Sequence, residues 1–368
     1  MSVNEQEQVH AQEHGALGSK QGWTDDNNRP DNRYIRQVRF TPIGLTGQER
    51  LGSSKVAIVG VGALGCVIAS HLARSGVGEI RLIDRDIVEW SNLQRQLLYD
   101  EEDARSGLPK AEAAANKLRR INSSINIRAY AADLHGGNAS SLLDDADILL
   151  DGTDNFHTRY LLNDYAVRQQ IPWIYGGAVG AGGMTMTVIP GETPCYRCLF
   201  PEPPSAGLTD TCETAGVLSP LVDVVGSLQA MEAIKWLTGN RSQLRAGLLQ
   251  LDLWRNSWMP LGLTGTKQPD CPCCGVGEFP FLDESMNETV LLCGRSTVQV
   301  RPARAGTLDL QVLASRLAGS GQLHLTPYSL RYARDEQISA VFFPDARALI
   351  QGTDNAIKAK AIYADIIG

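Results

Sequence analysis

Lys55-Val-Ala-Ile-Val-Gly-Val-Gly-Ala-Leu-Gly-Cys-Val-Ile-Ala-Ser-His-Leu-Ala-Arg-Ser-Gly-Val-Gly-Glu-Ile-Arg-Leu-Ile-Asp-Arg-Asp86 is the stretch whose reading decides the fold. Lys55–Val59 is a short apolar β-branched run that suits a buried parallel strand. Gly60, Gly62 and Gly65 follow in G-x-G-x-x-G spacing, and Val67, Ile68, His71 and Leu72 then recur at helical intervals. Glu79–Ile83 predicts a second strand ending at Asp84, which stands nineteen residues past the last glycine. An acid at that place can accept hydrogen bonds from a ribose. The glycines let the backbone turn tightly and approach a phosphate, and the helix N-terminus behind them favours negative charge. A βαβ unit whose glycines serve packing alone is the competing explanation. Because strand, helix, strand and acid all surround the fingerprint, the stretch is read as a nucleotide site.

The chain of 368 residues is long enough for one large core and a smaller domain, and its apolar and charged fractions are those of an ordinary α/β protein. A net charge of −7 argues against nucleic acid as a partner, since phosphate neutralisation needs a basic face. No run approaches the roughly eighteen uninterrupted apolar residues of a membrane span. Residues 1–32 hold no apolar signal segment and little to bury, which predicts a disordered tail and a cytoplasmic protein.

Arg33-Tyr-Ile-Arg-Gln37 reads from spacing as the start of an amphipathic helix. Past the second strand, Ile87–Gln96 is a polar connection carrying Asn92, Arg95 and Gln96. Ligands of doubly wound sheets bind outside the carboxyl ends of strands, so this loop can reach whatever the glycines hold. Gly107-Leu-Pro-Lys110 opens an Ala-rich helix running to about Asn122, with Pro109 suited to its first position. Lys110 then opposes the helix dipole, which points to an anionic partner, the alternative being a solvated surface lysine. Ile125–Ala131 and Asp147–Leu150 predict strands, and Phe156–Gln170 a helix. Between them, Asp154 either caps that helix or holds Mg²⁺ beside phosphates. Ile171–Tyr175 and Met184–Ile189 predict strands joined by a glycine-rich connection, Gly176–Gly183. Val222–Leu237 predicts a long helix and Gly247–Leu253 a strand.

Eight cysteines are too few for a disulfide scaffold in a chain this long, and their clustering indicates metal or thiol chemistry. Pro194-Cys-Tyr-Arg-Cys198 and Cys271-Pro-Cys-Cys-Gly275 are two C-x-x-C knuckles. Cys195, Cys198, Cys271 and Cys274 can give four thiolates to one tetrahedral Zn²⁺, a structural site with no open position, although Cys273 leaves the register ambiguous. A redox C-x-x-C pair is the alternative. Cys212 stands in a proline-rich crossover loop as a candidate nucleophile. Cys66 and Cys293 read as plain buried residues.

Residues 278–288 read as a linker. Beyond it, 289–368 predicts a small β-α-β-β-β-α domain without a recognisable catalytic constellation, with Pro344-Asp345 at a hairpin turn. The expected architecture is thus α/β. A Rossmann-like, doubly wound and mainly parallel sheet with a zinc-stapled crossover fills 33–277, followed by the linker and the α+β domain.

Taken together and in order, Arg33-Tyr-x-Arg-Gln37, the glycine fingerprint, Asp84-x-Asp86, Ser91-Asn-Leu-Gln-Arg-Gln96, Gly107-x-Pro-Lys110, Thr153-Asp-Asn155, the two knuckles and Gly226-Ser-Leu-Gln-Ala-Met-Glu-Ala233 resemble the ThiF/MoeB group of adenylyltransferases, relatives of the ubiquitin-activating enzymes. The resemblance spans roughly 33–275 and leaves out the C-terminal domain, which is not the rhodanese-like domain of some relatives. It implies that a ubiquitin-like sulfur-carrier protein presents its C-terminal Gly-Gly carboxylate to the α-phosphate of ATP, for thiamine or molybdopterin sulfur transfer. Asp84 would hold the ribose, with Asp86 nearby as a second nucleotide-site residue. Asn92, Arg95, Gln96 and Lys110 would hold phosphates, and Asp154 the Mg²⁺. Arg36 would reach into the partner protomer's site, so a homodimer follows. Cys212 matches a loop cysteine that in ThiF-like members bonds to the activated carrier, and Cys195, Cys198, Cys271 and Cys274 match zinc ligands. The resemblance also admits a cysteine desulfurase as a partner. No G-x-x-x-x-G-K-[ST] occurs, so ATP is expected without a P-loop.

Three other readings compete. An NAD-dependent oxidoreductase accounts for the fingerprint alone and leaves Arg95, Lys110, Asp154 and the knuckles unexplained. A non-catalytic subunit would have lost site residues, and none is missing. Adenylation of another acceptor, a peptide antibiotic precursor or a tRNA base, keeps the chemistry and changes the partner.

Overall fold

The computed structural model describes residues 32–204, 214–283, 289–291, 297–301, 306–335 and 337–367. Residues 1–31 of the expected tail lie outside these residues, as do Cys212 and Cys293, whereas Asn32 at its end is buried.

Strands β1 (Lys55–Val59), β2 (Glu79–Ile83), β3 (Asn126–Tyr130), β4 (Ile148–Asp151), β5 (Trp173–Val179), β6 (Gly182–Val188), β7 (Gly247–Asp252) and β8 (Ser257–Gly262) form one sheet in the order β3-β2-β1-β4-β5-β6-β7-β8. The first five pair in parallel and the last three extend them antiparallel. Both faces are covered. Ile58, Ile80 and Leu150 pack with Leu72, Leu118 and Val225 of the helices Ala63–Ser75, Lys110–Ile121 and Ser219–Leu237. Their neighbours Ala57, Ile83 and Leu149 pack oppositely with Leu142 and Leu161 of the helices Gly136–Leu143 and Phe156–Gln169. Burial on both faces is why these strands read as unbroken apolar runs.

The glycines of 176–183 do not form a connection, as the sequence reading expected. Gly176, Gly177, Gly182 and Gly183 lie inside β5 and β6, which pair from Trp173–Val188 to Val179–Gly182 around a two-residue turn with Gly180 at φ +61°. Two of them make room for the helix Ser219–Leu237: a Cβ on Gly176 would meet the Gln229 side chain at 2.3 Å and one on Gly183 would meet Val225 at 2.6 Å. Strand β8 and the helices Gly44–Ser53 and Gly136–Leu143 are additions that the pattern did not disclose.

The C-terminal region also differs in detail. The first strand expected there, over 289–300, is two strands, β9 (Thr289–Leu291) and β10 (Thr297–Val300), and the second, over 322–332, is two more, β11 (Gln322–Leu325) and β12 (Leu330–Ala333). The second break is chemical: Pro327 sits where Thr326 N–H donates to the Ser329 carbonyl at 2.9 Å, closing a turn. With β13 (Ser339–Phe342) and β14 (Ala348–Gln351) they make an antiparallel sheet, β11-β12-β13-β14-β10-β9. Ala340, Phe342, Ala348 and Ile350 face the helices Leu310–Leu317 and Ala356–Ile367, whereas Val341, Phe343 and Leu349 on the alternate face pack on Ile87 of the first domain. The expected linker is anchored through its aromatic side: Phe281 is buried in the first domain, with Phe279 and Leu282 packed beside it, and its N–H donates to Asp164 at 3.3 Å. Among the described residues no helix is long and apolar enough to cross a membrane.

Candidate active site and metal centre

Strand β1 lies between β2 and β4, so the chain crosses in opposite directions on its two sides and opens a crevice at the strands' carboxyl ends. A cavity of about 370 Å³ fills that crevice, within the usual range for small-molecule sites. Gly60 ends β1 at φ +85°, and a Cβ there would come within 2.7 Å of the Gly152 backbone. Glycine is required for that close approach of β1 and β4. Gly65 lies one turn behind rather than on the cavity wall. Its Cβ would strike the Gly60 carbonyl at 2.0 Å, so its smallness seats the helix against the strand. Gly62 begins the helix Ala63–Ser75 with no side-chain cap, and Gly62, Ala63 and Leu64 line the cavity. Open backbone N–H groups at a helix start suit a phosphate.

Polar groups converge on the same space. Asp84, Asp86, Arg95, Gln96, Lys110 and Asp154 all line it. Asp84 is anchored by backbone donors, from Val61 at 2.6 Å and from Asp86 at 2.8 Å. Burial raises its carboxyl, with Lys110 opposing that rise. Lys110 is buried, not a solvated lysine, and its Nζ stands 3.1 Å from Asp86. Gln96 is buried with its Oε1 unpaired, so its amide can turn either end to a ligand. Of the two alternatives for Asp154, the capping role falls to its neighbour. Asn155 is the helix cap, its side chain accepting from Thr158 N–H at 3.1 Å, and Asp154 stays on the exposed rim. An unpaired buried amide, a helix start and cations opposite carboxylates fit a magnesium nucleotide.

Two expected residues are elsewhere in this chain. Asn92 is fully buried beneath the loop, its Oδ1 accepting from Glu89 N–H at 3.0 Å, and it does not line the cavity. Arg36 is exposed beside Tyr34 and Gln37, which pack on Gly76 and Ser75 at the far end of the helix Ala63–Ser75. That helix alone separates it from the cavity by about 20 Å.

Sequence reasoning missed three charged residues. Arg159 is buried against Asp151 at 2.8 Å and donates to the Thr153 carbonyl at 3.1 Å, fixing the loop that carries Asp154. Asp133 and Arg85 also line the cavity, 3.3 Å apart. Burial would raise the Asp133 carboxyl, but Arg85 and Arg301 outweigh it and hold it below the usual range. The only local signal was their place just past the ends of β2 and β3. Cys66 behaves as expected of an inert thiol, fully buried and pushed up to about 12 by that burial.

The knuckles meet. The sulfurs of Cys195, Cys198, Cys271 and Cys274 all lie within 4.8 Å of one another, with Cys195–Cys271 at 3.6 Å and Cys198–Cys274 at 3.4 Å. Four sulfurs so placed form a metal site compatible with zinc. Cys273 is outside the set, which resolves the register: its sulfur accepts from Asn163 Nδ2 at 3.2 Å. Asn163, fully buried and another residue missed, also accepts from Tyr196 N–H at 2.8 Å and so aligns both knuckles.

Residues 34–273 match the ThiF family. The chain belongs to the ThiF family. This ThiF-family chain is 43% identical over 338 residues to the sulfur carrier protein ThiS adenylyltransferase of Bacillus subtilis, covering 91% of this chain and 99% of that protein. It is 41% identical over 248 residues to the sulfur carrier protein adenylyltransferase of Thermus thermophilus, covering 66% of this chain and 90% of that one. Among solved structures it is similar to E. coli MccB with ATP, at a TM-score of 0.58 and 26% identity over 68% of this chain and 75% of that chain. The resemblance to the ThiF/MoeB adenylyltransferases therefore holds, and the family's chemistry implies ATP use.

Proposed function

We propose that this chain adenylates the C-terminal glycine carboxylate of a ubiquitin-like sulfur-carrier protein. The carboxylate oxygen attacks the α-phosphorus of ATP, the bond to the β-phosphate oxygen breaks, and pyrophosphate leaves an acyl-adenylate behind. The observation that carries the reading is one cavity where Asp84, Arg95, Lys110 and Asp154 meet the start of a glycine-capped helix. Such a reaction asks for alignment and charge neutralisation more than for covalent catalysis. Asp84 would accept from the ribose, and Arg95, Gln96 and Lys110 would pair with phosphates. Asp154 would hold a Mg²⁺, which neutralises phosphate charge when bound. Gly177, Gly182 and Gly183 line the opposite wall, a narrow backbone surface suited to a glycine tail. The likeness to the B. subtilis protein, which is named for ThiS, spans nearly its whole length and favours a ThiS-like carrier over a peptide or tRNA acceptor. Incubation with ATP, Mg²⁺ and a carrier ending in Gly-Gly is expected to drive exchange of labelled pyrophosphate into ATP, dependent on that carboxylate; exchange indifferent to the carrier would overturn the reading.

Zinc at the four cysteines would be structural, because four thiolates leave no position for substrate. Arg36 cannot reach its own cavity, which supports a homodimer in which it serves the partner's site. Mixing Arg36→Ala chains with Lys110→Ala chains is then expected to recover exchange activity that neither has alone. No recovery would mean that each site is completed within one chain.

A further inference from the structure

The C-terminal domain holds the wall of the cavity from behind. Arg347, on the turn before β14, is fully buried and stacks on Phe343 with its guanidinium 3.6 Å from the ring centroid. Its Nη1 donates to the Arg85 carbonyl at 2.6 Å and its Nη2 to the Ala131 carbonyl at 3.0 Å. The first of these peptides lies between Asp84 and Asp86. The second precedes Ala132, Asp133 and Leu134, which line the cavity. One side chain from the second domain therefore ties together the two backbone segments that leave β2 and β3. A second tie runs beside it. Asp133 accepts from Arg301 at 2.6 Å and from Gln299 as well as from Arg85. A third reaches the loop that carries Arg95 and Gln96, where Gln351 Nε2 donates to Glu89 at 3.2 Å and Ile87 is packed by Val341, Phe343 and Leu349.

These contacts share a direction. The first two act on the ends of β2 and β3, which in a doubly wound sheet frame the ribose and base of a nucleotide, whereas its phosphates lie over the glycine turn, and the third reaches only the start of the loop after β2. They leave the Asp154 loop and the glycine-lined wall of β5 and β6 to the first domain. A domain docked only for stability has no reason to spend the one fully buried arginine among its described residues on two main-chain carbonyls at the cavity. Fixed in this way, those segments need not be ordered by the ligand, and affinity rises when that cost is removed beforehand.

We propose that the C-terminal domain is a positioning element for the nucleoside half of ATP, with Arg347 as its principal residue and the Gln299–Arg301 pair on Asp133 as its second. This rests on the assignment of the cavity to ATP. The test compares the full-length protein with Arg347→Ala, Arg347→Lys and the double variant Gln299→Ala/Arg301→Ala, reading ATP affinity by calorimetry without carrier, KM and kcat in pyrophosphate exchange, and thermal unfolding. The Arg347→Ala and double variants are expected to raise the Kd and KM for ATP about tenfold, with kcat and the KM for carrier within about twofold, and Arg347→Lys to recover part of the affinity. If Arg347→Ala does not fold, the double variant, whose Arg301 is partly exposed, decides the matter. Folded variants with unchanged ATP affinity, or with kcat lowered and KM unmoved, would overturn the proposal and leave the domain a stabilising appendage. A wild-type protein that does not bind ATP at all would instead overturn the nucleotide assignment, and this proposal with it.

Discussion

Alanine at Asp154 is expected to lower carrier-dependent pyrophosphate exchange by about 10²- to 10³-fold, the loss that follows removal of one preorganised electrostatic group from a reacting centre. The melting temperature should hardly move. The carboxylate sits on the exposed rim, and the cap of the helix Phe156–Gln169 belongs to Asn155. Surface changes of that kind cost no more than about 0.5 kcal/mol, or about 2 °C for a domain of this size. Two neighbours serve as contrasts. Asn155→Ala removes the cap and should cost about 1 kcal/mol of stability. Asp151→Ala strips the buried Arg159 of its partner and should unfold much of the protein, since an unpaired buried charge costs about 3–5 kcal/mol. Exchange kinetics with thermal unfolding of the three variants separate chemistry from folding. Undiminished exchange in Asp154→Ala would remove that residue from the site.

Cys271→Ser is expected to abolish metal binding, with zinc falling from one per chain to none, and to lower the melting temperature by on the order of 10 °C, a few kcal/mol at about 2–4 °C each. The sulfurs join turns separated by 76 residues. Around them Tyr160, Tyr196, Phe200 and Phe281 form a connected aromatic cluster with ring centroids 4.8–5.3 Å apart. Without the metal, the thiolates that crowd the site must repel one another or bind protons, and the cluster loses its clamp. Cys273→Ser is the internal control: its sulfur is outside the set, so zinc should stay. Exchange per folded chain should be unchanged in either variant. Metal analysis, calorimetry and kinetics check the three parts separately.

Much of the site was legible because it is written in local spacing. A strand, a glycine turn and a helix need only the residues that form them, so Gly60, Gly62 and Asp84 could be placed by counting. Arg95 and Gln96 followed from standing past the end of a strand, and Lys110 from opposing the dipole at its helix's start. Arg159, Asp133, Arg85 and Asn163 were not legible, because each matters through a partner brought near by the fold rather than by sequence. The glycines of β5 and β6 misled for a related reason. Glycine marks a turn when nothing else is known, and at Gly176 and Gly183 it marks the space that the helix Ser219–Leu237 takes.

The α/β class, the place of the cavity proposed for the nucleotide and the two cysteine knuckles could be read from the sequence alone, since backbone periodicity and short motifs are properties of neighbouring residues. Only the tertiary structure decided which cysteines share one centre, that Asn155 and not Asp154 caps its helix, that Lys110 is buried against Asp86, and that Arg36 lies far from its own cavity. It alone revealed Arg347 reaching across to Arg85 and Ala131. Those are complementarities between segments distant along the chain, and packing, not spacing, selects them.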